Sequence, residues 1–442
     1  MSPLPADGFP EAAVRHRARS GPAAAFPAVD SYGKALFGAT PPAHPATDPL
    51  DDLRLVPPVF MPARQDKLIE LGREPSYRDV DLDTVIGGFR SPLPVYVSAF
   101  GSTQVAGGDL GGAISRQAGR LGVPMVIGEN VVPVSGYGRL ETDAQRSMLA
   151  RISAYSDVVP DTLGGVVVQQ STEDADAEVW NLVYSDPAAT SLLDTGRLAF
   201  ELKTGQGAKP GLGGLTVLSA GDALRLADRY EIDPLFGEGD TDGAGPRLRA
   251  SVPGTFTEEI LRQQIRLMRN NFPRARVWVK LHPGRDVQRA ATVAWAAGAD
   301  AVTVDGAEGG SGWAPLAFLD HVGLPLAECL RRIGRPTGCL LASGRVWEGA
   351  RTAKCLALGA RAVGLGRAAL LAADEDTDEG LIRLIACLSF ELRLLISAVG
   401  KYEAGALDID DLWAPGPYDL SAHDRPHDHP HTPHLQLERA SA

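Results

Sequence analysis

Lysine is scarce in this chain, seven in all, and three of the seven stand where a cation could do chemistry. Lys203, Lys209 and Lys280 close short apolar runs or lie in the loops that follow them. Lys280 ends Val277-Trp278-Val279, whose other residues should be buried, so its ammonium has to face the open end of the strand. A cation there can stabilise a developing negative charge. Lys203 ends Leu198–Leu202 in the same way. Ser343-Gly344-Arg345 and Gly364-Leu365-Gly366-Arg367 offer a second chemistry. Glycines bare backbone N–H groups, which cradle a phosphate with the help of a following helix N-terminus. A third is Asp305–Gly312, where Gly309 and Gly310 belong to a backbone suited to a lid or to close approach of a flat ligand.

These positions need a scaffold that brings many strand ends together. The chain repeats a short apolar strand, a Gly-rich turn and an Ala/Leu-rich helix. Candidate strands are Val95–Ser98, Pro124–Ile127, Leu198–Leu202, Pro234–Phe236, Val277–Val279, Ala301–Val304, Cys339–Leu341 and Ala362–Val363, with helices such as Gln288–Ala297 and Glu348–Leu358 between them. Eight such units predict an α/β fold, a (β/α)8 TIM barrel, with chemistry at the C-terminal ends of the strands. A doubly wound sheet is disfavoured because no GxGxxG follows the first strand. Residues 137–195 exceed one unit and contain Val166–Val168, which predicts an insertion with an extra strand or hairpin between strands two and three. The expected division is an N-terminal arm over 1–50, the barrel over 51–413 closed by a helix at Glu379–Val399, and a disordered His/Pro-rich tail over 414–442.

A net charge of −12, with a sequence pI near 5.3 and 6% aromatics, argues against nucleic acid as a partner. The four cysteines form no CxxC pair, which predicts buried thiols in a reducing cytosol and no metal site. Met1–Val29 has no apolar core of the signal-peptide kind, and no apolar run reaches membrane-helix length, so the expected location is the cytoplasm, away from membranes.

The string Gln206–Gly214 (QGAKPGLGG) is the most distinctive in the chain. With Val279-Lys280-Leu281, the Asp305–Gly312 loop, His321–Pro325, Ala342–Gly344 and Gly364–Leu370, it resembles the FMN-binding barrel of the glutamate synthase family, in order, over roughly residues 90–412. The resemblance implies an FMN whose phosphate lies at Ser343–Arg345 and Gly364–Arg367 and whose ring rests against Ala99-Phe100-Gly101. It implies Lys280 beside the flavin N1/C2 carbonyl, and Lys203, Gln206 and Glu129 on the side of a small-molecule substrate. In that family a hydride passes from flavin N5 to an imine carbon, giving glutamate.

The chain also departs from the family. Met1 is followed by Ser2, which predicts a protein without the family's amidotransferase cysteine, and Ala372–Asp376 stands where the iron–sulfur cysteines should begin. The expectation is therefore no iron–sulfur cluster, with room for an amine-supplying or electron-donating subunit and for a homo-oligomer. Arg345, Asn130, Trp313 and Ala314 replace residues that are smaller or hydroxylated in the family. A diverged FMN dehydrogenase, oxidase or isomerase is one alternative, and a non-catalytic flavin-binding scaffold is another. The FMN 2-hydroxy-acid oxidases, which use a His base and an Arg, are set aside. Outside the tails only His282 and His321 are present, and neither stands in that group's motif.

Overall fold

The computed structural model of the chain describes residues 49–99, 110–128, 142–172, 177–205, 216–218, 220–227, 231–233, 245, 247–250, 256–309 and 315–415. Eight parallel strands close into a barrel: β1 (Val95–Val97), β2 (Met125–Ile127), β3 (Val166–Ser171), β4 (Leu198–Lys203), β5 (Arg276–Leu281), β6 (Ala301–Asp305), β7 (Cys339–Ser343) and β8 (Ala362–Leu365). Each is followed by helical chain. The principal helices are α1 (Leu110–Leu121), α2 (Thr142–Ser156), α3 (Ala177–Ser185), α4 (Glu258–Asn271), α5 (Val287–Ala296), α6 (Leu326–Ile333), α7 (Gly349–Ala357) and α8 (Arg367–Glu375), and α9 (Gly380–Ala398) completes the outer ring.

The (β/α)8 expectation holds, and one strand assignment does not. Val166–Ser171 is the third barrel strand: Val166 pairs with Met125 of β2 on one side and with Leu198 of β4 on the other. The long second unit, with α2 inside it, made a barrel strand look like part of an insertion. Leu198–Lys203 is therefore fourth, and it pairs directly with β5. The ring closes without Pro234–Phe236, which lies outside the described residues. The long excursion instead follows β4. It carries a small antiparallel sheet of Thr216–Leu218, Arg247–Ala250 and Glu231–Asp233, with Arg247–Ala250 in the middle. Most of the N-terminal arm and of the tail also lies outside the described residues.

Alternation along each strand sorts the core. Val166, Phe200, Val277, Val279, Val302 and Leu340 point outward under the helices, in the large apolar cluster. Tyr96, Val126, Val167, Ala199, Trp278, Ala301, Leu341 and Ala362 point inward and fill the barrel. Its N-terminal end is plugged by the hairpin Thr84–Ile86 and Phe89–Ser91, whose Ile86 and Phe89 join the inner cluster. Trp278 Nε1 donates to the Gly87 carbonyl at 3.1 Å. Gly87 has φ +53°, and a Cβ there would run into the Trp278 indole, so the turn requires glycine on both counts.

Candidate functional site at the C-terminal end of the barrel

Further along β3 to β7, the inward residues change from apolar to polar or charged. They are Gln169 on β3, Glu201 and Lys203 on β4, Lys280 on β5, Thr303 and Asp305 on β6, and Ser343 on β7, all buried. Register explains the assembly: Gln169 stands opposite Glu201, Lys203 opposite Lys280, Lys280 opposite Thr303, and Asp305 opposite Ser343. Residues that stand opposite each other on neighbouring strands point to the same face, so the sheet brings these into one polar layer.

Inside that layer Lys280 Nζ lies 3.3 Å from Asp305 Oδ2, with Lys280 only 3% exposed. Ser343 Oγ donates to Asp305 Oδ1, so the Ser343 hydroxyl is engaged within the layer. Glu201, 1% exposed, accepts from Gln169 Nε2 and, at 3.2 Å, from Thr303 Oγ1. Burial pushes the Glu201 carboxyl above the usual carboxylate range, against the opposing pull of Lys280 and of the two hydrogen bonds. The Tyr96 hydroxyl lies in the same layer without a hydrogen-bond partner of good geometry among the described residues, and burial pushes its titration well up. Lys203 is 8% exposed at the upper edge. Thr204 ties the ends of β4 and β5 together: its N–H and hydroxyl donate to the Lys280 carbonyl at 2.9 and 3.1 Å.

The loops after β6, β7 and β8 form the rim. Gly344 has φ +133°, and a Cβ there would stand 3.3 Å from the amide nitrogens of Gly306 and Gly309, so two loops meet through bare backbone. Arg345, at φ +52°, is the one non-glycine residue with positive φ among the described residues. Its guanidinium lies 5.5 Å from the Trp347 ring centroid, with Arg351 at 4.9 Å from the same ring. Glu308 accepts from Leu326 N–H at 2.9 Å and so caps α6. Gly364 is glycine for a packing reason, since a Cβ would meet the Tyr96 ring at 2.7 Å and Ser98 at 2.9 Å. Gly366 differs. It is the N-cap of α8, and among the described residues no side chain caps that helix and nothing lies within 4 Å of where its Cβ would be.

Of the sequence-predicted residues, the structure brings Lys203, Lys280, Gly309, Ser343, Gly344, Arg345, Gly364, Gly366 and Arg367 to this end of the barrel, and Ala99 packs on the inner cluster. Glu129, Gln206, Phe100, Gly101 and Gly310 lie outside the described residues. Sequence reasoning passed over Glu201, Gln169, Thr303 and the role of Asp305 in holding Lys280. Their signal was the recurrence of polar residues two apart at strand ends: 201/203 and 303/305. It also assigned no role to His282, the residue after β5. His282 Nδ1 is buried without a partner among the described residues, and burial lowers the imidazole's titration below its ordinary value, opposed by Asp286. The described residues hold no group of three His, Cys, Asp or Glu side chains able to bind a metal, and no helix among them is long and apolar enough to cross a membrane.

Residues 250–375 match the family described as the conserved region in glutamate synthase. That stretch holds Lys280, Asp305, the Gly344 turn and the start of α8. The archaeal-type glutamate synthase [NADPH] of Dehalococcoides mccartyi is 32% identical over 189 residues, covering 41% of this chain and 36% of that protein. The chain therefore spans little more than a third of the length of this curated relative. Isopentenyl-diphosphate delta-isomerase of Vibrio campbellii is 36% identical over 128 residues, covering 25% of this chain and 37% of that protein. Among solved structures, a mutant flavocytochrome b2 with pyruvate bound aligns with TM-score 0.53 at 18% identity, covering 87% of this chain and 80% of that one. At that identity the likeness shows the barrel fold alone.

Proposed function

We propose that this chain is an FMN-dependent oxidoreductase of the glutamate synthase-like type, transferring a hydride between flavin N5 and a C–N or imine centre of an amino-acid-like substrate. One observation carries the reading. The stretch matching the glutamate synthase region supplies both a buried lysine held by a carboxylate and an open, uncapped helix N-terminus after the eighth strand. The residues fit the cofactor's phosphate: the open space at Gly366, the α8 N–H groups and the flanking exposed Arg345 and Arg367 suit a dianion. Ala99, Gly309 and the left-handed Gly344 leave backbone for a flat ring to approach. FMN, when bound, supplies the hydride chemistry.

The chain's own residues supply position and charge. Asp305 fixes the Lys280 ammonium by an ion pair in a nearly dry layer, so the cation is preorganised to stabilise negative charge forming above it. Lys203, with Gln206 and Glu129 in the reading from family likeness, orients the substrate. Electrons enter from a nicotinamide, an oxidised substrate or an electron-donating subunit, with no iron–sulfur cluster; a separate subunit supplies the amine. The work is done in the cytoplasm on a small molecule, and the chain can act as a homo-oligomer.

The absorption spectrum of the purified protein, with mass identification of what heat releases, tests the proposal. A two-banded yellow spectrum with FMN released supports it. A colourless protein that takes up no FMN on titration ends it. A second reading, a diverged isomerase or dehydrogenase on another substrate, draws on the Vibrio campbellii relative. Reduction of the bound flavin by NADPH, followed by reoxidation with a 2-oxo acid and ammonia, separates the two.

A further inference from the structure

Two acids and two lysines stand at the upper end of the barrel interior, each buried: Glu201, Asp305, Lys203 and Lys280. The acids are not equivalent. Asp305 has an ion pair with Lys280 and a hydroxyl from Ser343. Glu201 has two neutral donors, Gln169 from β3 and Thr303 from β6, and no described ion pair of its own. Facing it are the Lys280 charge from β5, the Asp305 charge from β6 and the Tyr96 phenol from β1, and two residues further toward the mouth on its own strand stands Lys203. A carboxyl in this position is open to binding a proton, because neutral donors offset less of its desolvation than an ion pair of its own would. Negative charge formed above Lys280 weakens what the lysine does for Glu201, and the carboxyl answers by binding a proton.

We propose that Glu201 is the proton-carrying positioning residue behind Lys280: it takes up a proton when negative charge forms at the mouth of the barrel and releases it when that charge leaves. The inference rests on the proposed flavin site. The step is Glu201 carboxylate plus one proton from solvent giving the carboxylic acid. It accompanies arrival of two electrons and one proton at the cofactor from an external reductant, so two protons enter in all.

The test is the midpoint potential of the bound FMN between pH 6.5 and 9, in the wild type and in Glu201→Gln and Glu201→Asp. Each proton taken up in a two-electron reduction contributes about 29.6 mV per pH unit. The wild type should show the slope of two protons over part of this range, Glu201→Gln the slope of one, and Glu201→Asp, which keeps a carboxyl, should recover two. Equal slopes in the wild type and Glu201→Gln would overturn the inference, and a merely structural Glu201 would move affinity without moving the slope. If the protein holds no FMN at all, the proposed function falls instead, and unfolding of the flavin-free chain decides on Glu201. A carboxyl that is protonated more readily when folded loses stability as pH rises through its folded titration. Glu201→Gln should then gain on the wild type with rising pH, and a difference independent of pH overturns the inference.

Discussion

The two ends of the barrel interior are built from the same eight strands and differ in one respect. At the N-terminal end the inward residues are Trp278 and, from the hairpin, Ile86 and Phe89, with ring centroids 5.5 Å apart for Phe89–Trp278; the Tyr96 ring, 6.3 Å from that of Trp278, reaches from this end into the polar layer above. At the C-terminal end, one inward position further along, they are Glu201, Lys280, Thr303 and Asp305. Both ends are buried, so burial itself does not separate a stabilising region from a chemical one. Apolar side chains gain free energy from leaving water, whereas charges lose it unless partners are supplied. The N-terminal end therefore contributes stability, and the C-terminal end holds a charged layer at a cost in stability.

Breaking the apolar end should give the largest effect. Trp278→Ala removes a fully buried indole, two ring contacts and the hydrogen bond to Gly87, and should cost about 4–5 kcal/mol, the upper part of the range for large aromatic truncations. Urea unfolding followed by far-UV circular dichroism checks it. A loss under about 1 kcal/mol would mean that the hairpin does not depend on this ring. Breaking the polar end comes next. Lys280→Met leaves Asp305 buried without its cation and should cost about 3 kcal/mol, near the lower bound for a broken buried pair because Ser343 still donates to Asp305. Lys280→Met with Asp305→Asn should recover most of that loss, since no unpaired charge is then buried. The double variant should none the less stay inactive if the cation serves chemistry. Stability and flavin reduction rate, measured on the same samples, separate the two roles of Lys280.

Much of this contrast was legible in the sequence, and the illegible part has a physical origin. Periodicity found seven of the eight barrel strands, because short apolar runs before Gly or Lys are what such strands require. Val166–Ser171 was misplaced because spacing, unlike pairing, does not say which strands are neighbours. Lys280 and Lys203 were legible as cations at strand ends. Their partners were not: that Asp305 reaches Lys280, or that Gln169 meets Glu201, follows from register between strands far apart in the chain. Gly364 shows the converse. The sequence marks it as a cradle residue, and its neighbours show a glycine required by Tyr96 packing. Gly366, two residues on, carries the open space.

The smallest effect sharpens the comparison from the sealed side. Cys339 begins β7 next to the hairpin, and the Gly87 N–H donates to its sulfur at 3.3 Å. Burial pushes the thiol up to about 11, partly offset by that hydrogen bond and by the Arg361 charge. At pH 8 the reactive thiolate is thus a minor form. Cys387, exposed on α9, should react first with a thiol reagent, and Cys339 should react slowly, at a rate that rises with pH toward about 11. Because Cys339 stands against the hairpin at the N-terminal end of its strand, opposite the proposed cofactor site, adding FMN should leave the Cys339 rate unchanged. Trp278→Ala, which unseats the hairpin, should raise it. Mass spectrometry of peptides labelled over time reads both outcomes. A Cys339 rate that falls on adding FMN would mean that the two ends are mechanically coupled, and the division between a stabilising end and a chemical end would have to be redrawn as one cooperative unit.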